Sequence, residues 1–292
     1  MRLLGIIDRY RYSYKNYLKV MYKVRKEMMT GKENEIKVKL KNGTVKKMLL
    51  DEVLKYASEN YYMNYLKVMS VIDNVTTINY NNQLLRFQGG DQNGDLIGVF
   101  FTEDYKFLDP KGSVVIDIGA NIGDSAIYFA LNGAEKIIAL EPYPYSYNLA
   151  QENIKINNFN DKVELLNAGY GKDSSIIVNQ EEISGVGSNL ISAEKGKSIP
   201  IISLKTLVNR YNIKDGVLKM DCEGCEYNLI NEDEEVLKRF SRIQIEYHYG
   251  LQTLVNKLES CGFSVENSKP TKRNSDALER NMNMGFIYAK KL

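Results

Sequence analysis

The sequence predicts an α/β protein whose larger part is a parallel sheet flanked by helices. Three observations predict it. From residue 113 onward, short apolar runs alternate with helix-like stretches. Residues 113–125, Ser-Val-Val-Ile-Asp-Ile-Gly-Ala-Asn-Ile-Gly-Asp-Ser, read as a buried strand, a turn bracketed by Gly119 and Gly123, and the start of a helix. Several later apolar runs end, on the carboxyl side, in a polar residue. In an open parallel sheet those ends share one edge, where ligands bind.

Taken in order, residues 1–30 read as a helix. Tyr10, Tyr14, Leu18, Met21 and Val24 recur at spacings of three and four. Such a helix would pack on the main domain or on a second copy of the chain, giving a homo-oligomer through the N-terminal region. A substrate-binding or membrane-surface helix is the alternative. Ile36, Val38 and Leu40 alternate with lysines before Lys41-Asn42-Gly43-Thr44, and Val45 begins a return, as in a hairpin. Residues 50–65 are helix-like, with Asp51 as the expected N-cap. Strands are expected near 75–80, 83–88 and 96–101, with a loop from Gly89 to Gly94. Residues 1–110 thus form a small α+β appendage and 111–292 the main domain. There, strands are expected at 113–118, 136–140, 162–166, 216–220, 241–247, 263–266 and 284–289. Helices are expected at 124–132, 144–157, 203–211, 226–239 (broken) and 250–260. Within the irregular span 169–200, Ile176 to Val178 form an extra strand and Gly185 to Ser188 a loop.

Composition narrows the function. A chain of 292 residues with 43% hydrophobic and 26% charged residues can build a sizeable core. A formal net charge of +2 gives no case for a dedicated nucleic-acid or membrane binder. No apolar run approaches the roughly 18–20 residues of a membrane span, and no signal-peptide pattern is present. The 3 cysteines, Cys222, Cys225 and Cys261, do not make a disulfide framework. The expectation is a cytoplasmic protein with cysteines as small buried residues, and neither a redox nor a zinc role for Cys222-Glu-Gly-Cys225.

The glycine turn would let a ligand approach the backbone and meet free N–H groups at a helix start. Its G-x-x-x-G spacing lacks the middle glycine of the dinucleotide fingerprint and the Lys-Ser/Thr of a P-loop. The polar strand ends are Asp117, then Glu141-Pro142, Asn167-Ala168, Asp221 with Glu223 just beyond, and Glu246 with His248. An acidic residue such as Glu141, about 20 residues past the glycine turn, suits a ribose whose hydroxyls are free. The Asn167 amide could contact an adenine edge. Tyr143, Tyr145 and Tyr147 could stack on a ring or simply pack at a helix start. Asp117 could hold the ligand or cap the turn.

The order of these pieces resembles class I S-adenosylmethionine-dependent methyltransferases. Three stretches together resemble the FkbM family more narrowly: Asp117 to Asp124, Glu141 to Pro144 with Asn153-Ile-Lys-Ile-Asn157, and Lys219-Met-Asp-Cys-Glu-Gly224 with Glu226. The similarity spans about residues 95–266, and the N-terminal 95 residues match no family pattern. The resemblance implies a Rossmann-like class I methyltransferase fold, with a mostly parallel seven-stranded sheet and an antiparallel last strand. It implies S-adenosylmethionine as cofactor, held by Asp117, Gly119, Ala120, Asn121, Gly123, Asp124, Glu141, Pro142, Asn167 and Ala168. It further implies methylation of oxygen on a hydroxylated small molecule or glycan. An RNA (tRNA) methyltransferase, a NAD-binding oxidoreductase and a non-catalytic partner subunit are the alternatives.

A hydroxyl acceptor needs its proton removed as the new bond forms. The candidate bases are Asp221, Glu223, Glu246 and His248, the 1 histidine of the chain. The same side chains are of the type that could hold Mg²⁺; the favoured expectation is no metal, with Lys219 neutralising one of the acids.

Overall fold

The computed structural model describes residues 3–31, 34–89, 96–179, 192–275 and 280–292. The expected loop from Gly89 to Gly94, apart from Gly89, and the one from Gly185 to Ser188 lie outside the described residues.

The N-terminal third carries helices α1 (Leu3–Ser13) and α2 (Tyr17–Thr30), strands β1 (Ile36–Lys39) and β2 (Val45–Met48), and helix α3 (Leu50–Glu59). The single helix expected over 1–30 is two, because Tyr14 leaves the helix to pair with Leu40 of the hairpin. The hairpin turns at Asn42-Gly43, where Asn42 Oδ1 accepts the Thr44 N–H. Glu52, not Asp51, serves the start of α3: its carboxylate accepts the Leu49 N–H at 2.7 Å. The helix continues into one wide turn over Asn60–Tyr65.

Strands β3 (Met69–Ile72), β4 (Val75–Tyr80) and β5 (Gln83–Gln88) form an antiparallel sheet. The strand expected at 96–101 is instead a wide helical turn, Ile97–Thr102. Leu96, Ile97, Val99 and Phe100 are all buried there. A short run that is apolar throughout fits a helix or a strand equally well.

The central sheet follows the expected pattern closely. Its strands are β6 (Val114–Ile118), β7 (Lys136–Leu140), β8 (Val163–Leu166), β12 (Gly216–Met220), β13 (Phe240–Tyr247), β14 (Phe263–Asn267) and β16 (Arg280–Lys291). Between β8 and β12 lie β9 (Gly169–Tyr170), β10 (Ser174–Val178) and β11 (Lys197–Ile202), a small separate sheet. The central order is β14-β16-β13-β12-β6-β7-β8, parallel except for β16, with β15 (Thr271–Ser275) added to β16 as an eighth strand. The helices are α4 (Asp124–Leu131), α5 (Pro144–Ile156), α6 (Leu204–Arg210), α7 (Glu234–Leu237) and α8 (Gln252–Ser260). This is the Rossmann-like fold with an antiparallel last strand.

Because strand side chains alternate, the sheet buries two faces. Val115, Ile137, Ala139 and Val217 point into one core; Ile116, Ile118, Ile138, Leu140, Leu218 and Met220 point into the other. The N-terminal residues divide between two cores. Tyr10 to Ala57 share a small core of their own, whereas Tyr62 to Leu108 pack into the first face of the central sheet. Asn153 and Asn157, one turn apart on α5, fasten this region. Their side-chain amides exchange hydrogen bonds with the backbone of Gln88 and Arg86, as a neighbouring strand would. Among the described residues no helix is long and apolar enough to cross a membrane.

The chain turns one way from β6 to β7 and returns on the other side as β12. The crevice outside the carboxyl ends of β6 and β12 is therefore the topological switch point. Gly119 sits there at φ +79°, and a Cβ on it would stand 1.8 Å from the Asp221 carbonyl oxygen. Gly119→Ala should cost about 3 kcal/mol or more in a urea titration. Gly112→Ala, which shares the positive φ but meets nothing within 4 Å, should cost only about 1–2 kcal/mol. Equal losses would mean that the close approach at Gly119 is immaterial.

Candidate functional site

The site begins with a buried ion pair. Asp117 of β6 and Lys219 of β12 are partners in register, their side chains 0% and 2% exposed. Lys219 Nζ lies 3.0 Å from Asp117 Oδ1, without the alignment of a hydrogen bond, and donates to the Gly119 carbonyl at 2.6 Å. Burial opposes the lysine charge, but Asp117 and Asp221 outweigh it and hold its pKa above the ordinary value. The other Asp117 oxygen accepts the Ser125 hydroxyl at 2.6 Å. Asp117 thus ties β6, the glycine loop and the start of α4 together. Lys219 neutralises an acid as expected, and that acid is Asp117.

The loop itself turns on Gly119, Asn121 and Gly123, all at positive φ. Gly119 and Ala120 both donate to the Leu140 carbonyl. Asp124 opens α4, where a negative charge suits the helix start. Glu141 is 2% exposed at the end of β7. Its carboxylate accepts the Asn121 N–H at 2.9 Å and the Tyr143 N–H at 3.0 Å. Burial pushes its pKa up to about 8, against the pull of those two N–H groups and Lys219. The Asn167 amide donates to the carbonyls of Glu141 and Pro142, each at 3.0 Å, and its oxygen accepts from Lys197. Ala168 is buried beside it. Tyr143 is buried at the start of α5, while Tyr145 is 37% exposed.

Across the crevice stands the acidic side. Asp221 follows β12, and its Oδ2 accepts the Tyr105 hydroxyl at 3.2 Å. No hydrogen bond to Asp221 Oδ1 is formed among the described residues. Tyr105, which sequence reasoning missed, comes from the segment before β6 and is buried beneath Lys219. The desolvated Tyr105 hydroxyl has its pKa raised, with the charges of Asp221 and Glu246 adding to the effect. No signal in the sequence marks Tyr105; its segment is placed by contacts across the fold, among them Gln244 donating to the Asp104 carbonyl at 2.8 Å.

His248 is 1% exposed and fully engaged. Its Nδ1 meets Glu226 at 3.0 Å and its Nε2 meets Glu223 at 3.1 Å. Burial opposes its charge, but the hydrogen bond to Glu226 and the charges of Glu226, Glu223 and Asp221 outweigh it and push its pKa up to about 10. The raised pKa favours the charged form of His248, held between carboxylates, and weighs against the expectation that it is the base. Glu226, quoted only as part of a motif, is the buried partner that sets this state. Glu246 lies half-buried on β13. Asp221, Glu223 and His248 offer ligand atoms within 4.8 Å of one another.

Cys222 and Cys225 are also corrected: they are half-buried and joined to each other by a disulfide, while Cys261 is buried and free. The turn after β12 brings their Cα atoms to 5.5 Å, within disulfide range.

The chemistry of the residues fits S-adenosylmethionine: a carboxylate, Glu141, stands at a strand end beside the backbone of the glycine loop. The loop has the G-x-x-x-G spacing and not the dinucleotide fingerprint.

The methyltransferase FkbM domain matches residues 117–265, half of the chain. The ribosomal protein L11 methyltransferase of Carboxydothermus hydrogenoformans is 46% identical over 61 residues, 21% of this chain and 20% of that protein. The uncharacterized protein 158B of Sulfolobus islandicus rod-shaped virus 1 is 30% identical over 145 residues, 49% of this chain and 66% of that one. This chain therefore spans less than two thirds of either relative. The crystal structure of TYW2 from M. jannaschii in complex with AdoMet is 16% identical, covering 76% of this chain and 89% of that one, with a TM-score of 0.40.

Calorimetry should show weaker S-adenosylmethionine binding for Glu141→Gln, by about tenfold or more. Wild-type affinity should also rise as pH climbs toward 8 and then level off, because the carboxyl must shed its proton to accept two hydroxyls. Unchanged binding in the variant would remove Glu141 from the cofactor site.

The His248 shift makes a separate expectation. The folded protein holds this proton more tightly than the unfolded chain does. The resulting stability is complete below pH 6.5 and is lost as pH rises toward about 10. His248→Gln should flatten that decline in urea titrations; an identical pH slope in both proteins would refute the imidazolium.

Proposed function

We propose that this chain, which belongs to the FkbM methyltransferase domain family and takes S-adenosylmethionine as its cofactor, methylates a hydroxyl oxygen on a sugar, glycan or small metabolite. The observation that carries this reading is Asp221. One of its oxygens is held by Tyr105 while the other has no hydrogen-bond partner among the described residues, at the switch point beside the glycine loop.

The bound cofactor supplies a methyl group on an electrophilic sulfonium. Asp117, Lys219 and the glycine loop shape the backbone of its cradle, and Glu141 takes the ribose hydroxyls. Asp221 accepts the acceptor hydroxyl proton as the oxygen–methyl bond forms, a role worth roughly 10²–10⁴ in rate. Tyr105 fixes the carboxylate for that transfer. Glu223 and Glu246 supply acceptors for further hydroxyl groups, and His248 locks Glu223 in place. In-line alignment of oxygen and methyl supplies the remainder of the acceleration.

An acceptor rich in hydroxyls suits this acidic wall, since carboxylates accept hydroxyl protons. An RNA acceptor would bring phosphates against Asp221, Glu223 and Glu246, which repel them. Use of an intracellular cofactor supports a cytoplasmic setting. Leu18, Tyr22 and Met29, each more than two thirds exposed along one stripe of α2, support self-association through the N-terminal region.

Release of S-adenosylhomocysteine, followed over a panel of saccharides, hydroxylated metabolites and tRNA, tests the proposal. Asp221→Asn should lower kcat by about 10² or more with cofactor affinity near wild type, and EDTA should leave turnover unchanged. Full activity of Asp221→Asn would remove the base. Turnover on tRNA alone would overturn the acceptor class, metal-restorable loss would turn the Asp221–Glu223–His248 cluster into a metal site, and cofactor binding without turnover would favour a partner subunit.

A further inference from the structure

A cleft of about 640 Å³ opens in the N-terminal unit, away from the strand ends that form the methyl-transfer site. Its volume falls in the range of small-molecule sites, roughly 300–1,000 Å³. Helix α1, the wide turn after α3 and the β1–β2 turn supply its walls.

Aromatic rings make one wall. Tyr61 and Tyr65 lie one turn apart and stack with centroids 5.2 Å apart and planes at 20°. Tyr12 of α1 meets Tyr65 at 5.0 Å and 53°. Tyr65 is 57% exposed, and Tyr12 and Tyr61 are half-buried. Folding thus leaves a continuous aromatic surface partly in water, although burial of such rings is strongly favourable.

Asn42, Asn60, Tyr56 and three charged side chains complete the lining. Asp8 is half-buried, and Arg11 and Lys41 are exposed. All of them line the cleft. Among the described residues, none of their side chains makes a hydrogen bond or an ion pair. A half-buried carboxylate without such a partner, set against tyrosine rings, is costly unless a ligand donates to it. Asp8 is close enough to Tyr61 for its charge to raise the tyrosine pKa, after burial.

These features select a ligand class. A sugar ring offers a face of polarised C–H bonds to the electron-rich face of an aromatic ring. Its hydroxyls donate to a carboxylate and accept from guanidinium and ammonium groups. A nucleobase could stack on the same rings, but its phosphates would face Asp8, and the wall has only Arg11 and Lys41 to offset them.

We propose that this cleft is a saccharide-binding site, in which Tyr12, Tyr61 and Tyr65 stack the sugar while Asp8, Arg11 and Lys41 bind its hydroxyls. It is a site separate from the one that transfers methyl groups, and it stands whether or not the methyl acceptor is a sugar.

The test is saturation-transfer NMR and calorimetry on the full chain with maltotriose, chitotriose and xylotriose, and with a hexauridine RNA as competitor class. At least one trisaccharide should bind. Tyr65→Ala and Asp8→Asn should each weaken it by about tenfold or more, while Glu141→Gln leaves it unchanged. Tyr65 is exposed, so Tyr65→Ala should keep the wild-type melting temperature; if it does not, Tyr65→Leu and Asp8→Asn carry the test. The proposal is overturned if no trisaccharide binds at about 10 mM, if binding survives Asp8→Asn and both Tyr65 variants, or if hexauridine alone occupies the cleft.

Discussion

The Asp117–Lys219 ion pair is the constraint on which the rest of the site depends. Both charges are buried between neighbouring strands at the switch point of the sheet. A buried pair adds little net stability, because desolvation offsets the attraction. What it supplies is position. Lys219 reaches past Asp117 to the Gly119 carbonyl, and Asp117 reaches forward to Ser125 at the start of α4. Losing either partner would strand the other charge, at about 3–5 kcal/mol. One strand end, one loop and one helix start are therefore fixed as a unit.

From that unit the site extends both ways by short polar links. Toward β7, the loop donates the Asn121 N–H to Glu141, and Asn167 holds the carbonyls of Glu141 and Pro142. Toward β13, the same sheet edge carries Asp221 with Tyr105, then Glu223, His248 and Glu226. The first half places a carboxylate beside the backbone of the glycine loop. The second concentrates carboxylates around a single histidine. The two halves meet at Gly119, where the Asp221 carbonyl leaves no room for a side chain.

Much of this was legible in the sequence. The central strands were readable because short, mostly apolar runs alternate with helix-like stretches and end in polar residues, and Glu141, Asp221 and the glycine loop do lie along one sheet edge. The partners of buried charges were not readable. Glu226 and Tyr105 act through contacts made across the fold, and nothing in their spacing marks them. The raised pKa of His248 was unreadable for the same reason: its intrinsic pKa suits a base, and only the carboxylates at both ring nitrogens raise it. The segment at 96–101 was misread because a fully buried apolar run carries no periodicity to separate helix from strand. The C-x-x-C pair was misread because compartment was weighed and local Cα separation was not visible.

The most direct measurement is a crystal structure of the chain soaked with S-adenosylhomocysteine. The account predicts the ribose hydroxyls on the Glu141 carboxylate, the ligand backbone along Gly119 to Gly123, and the sulfur facing Asp221. A ribose bound away from Glu141, or a sulfur directed away from Asp221, would contradict it.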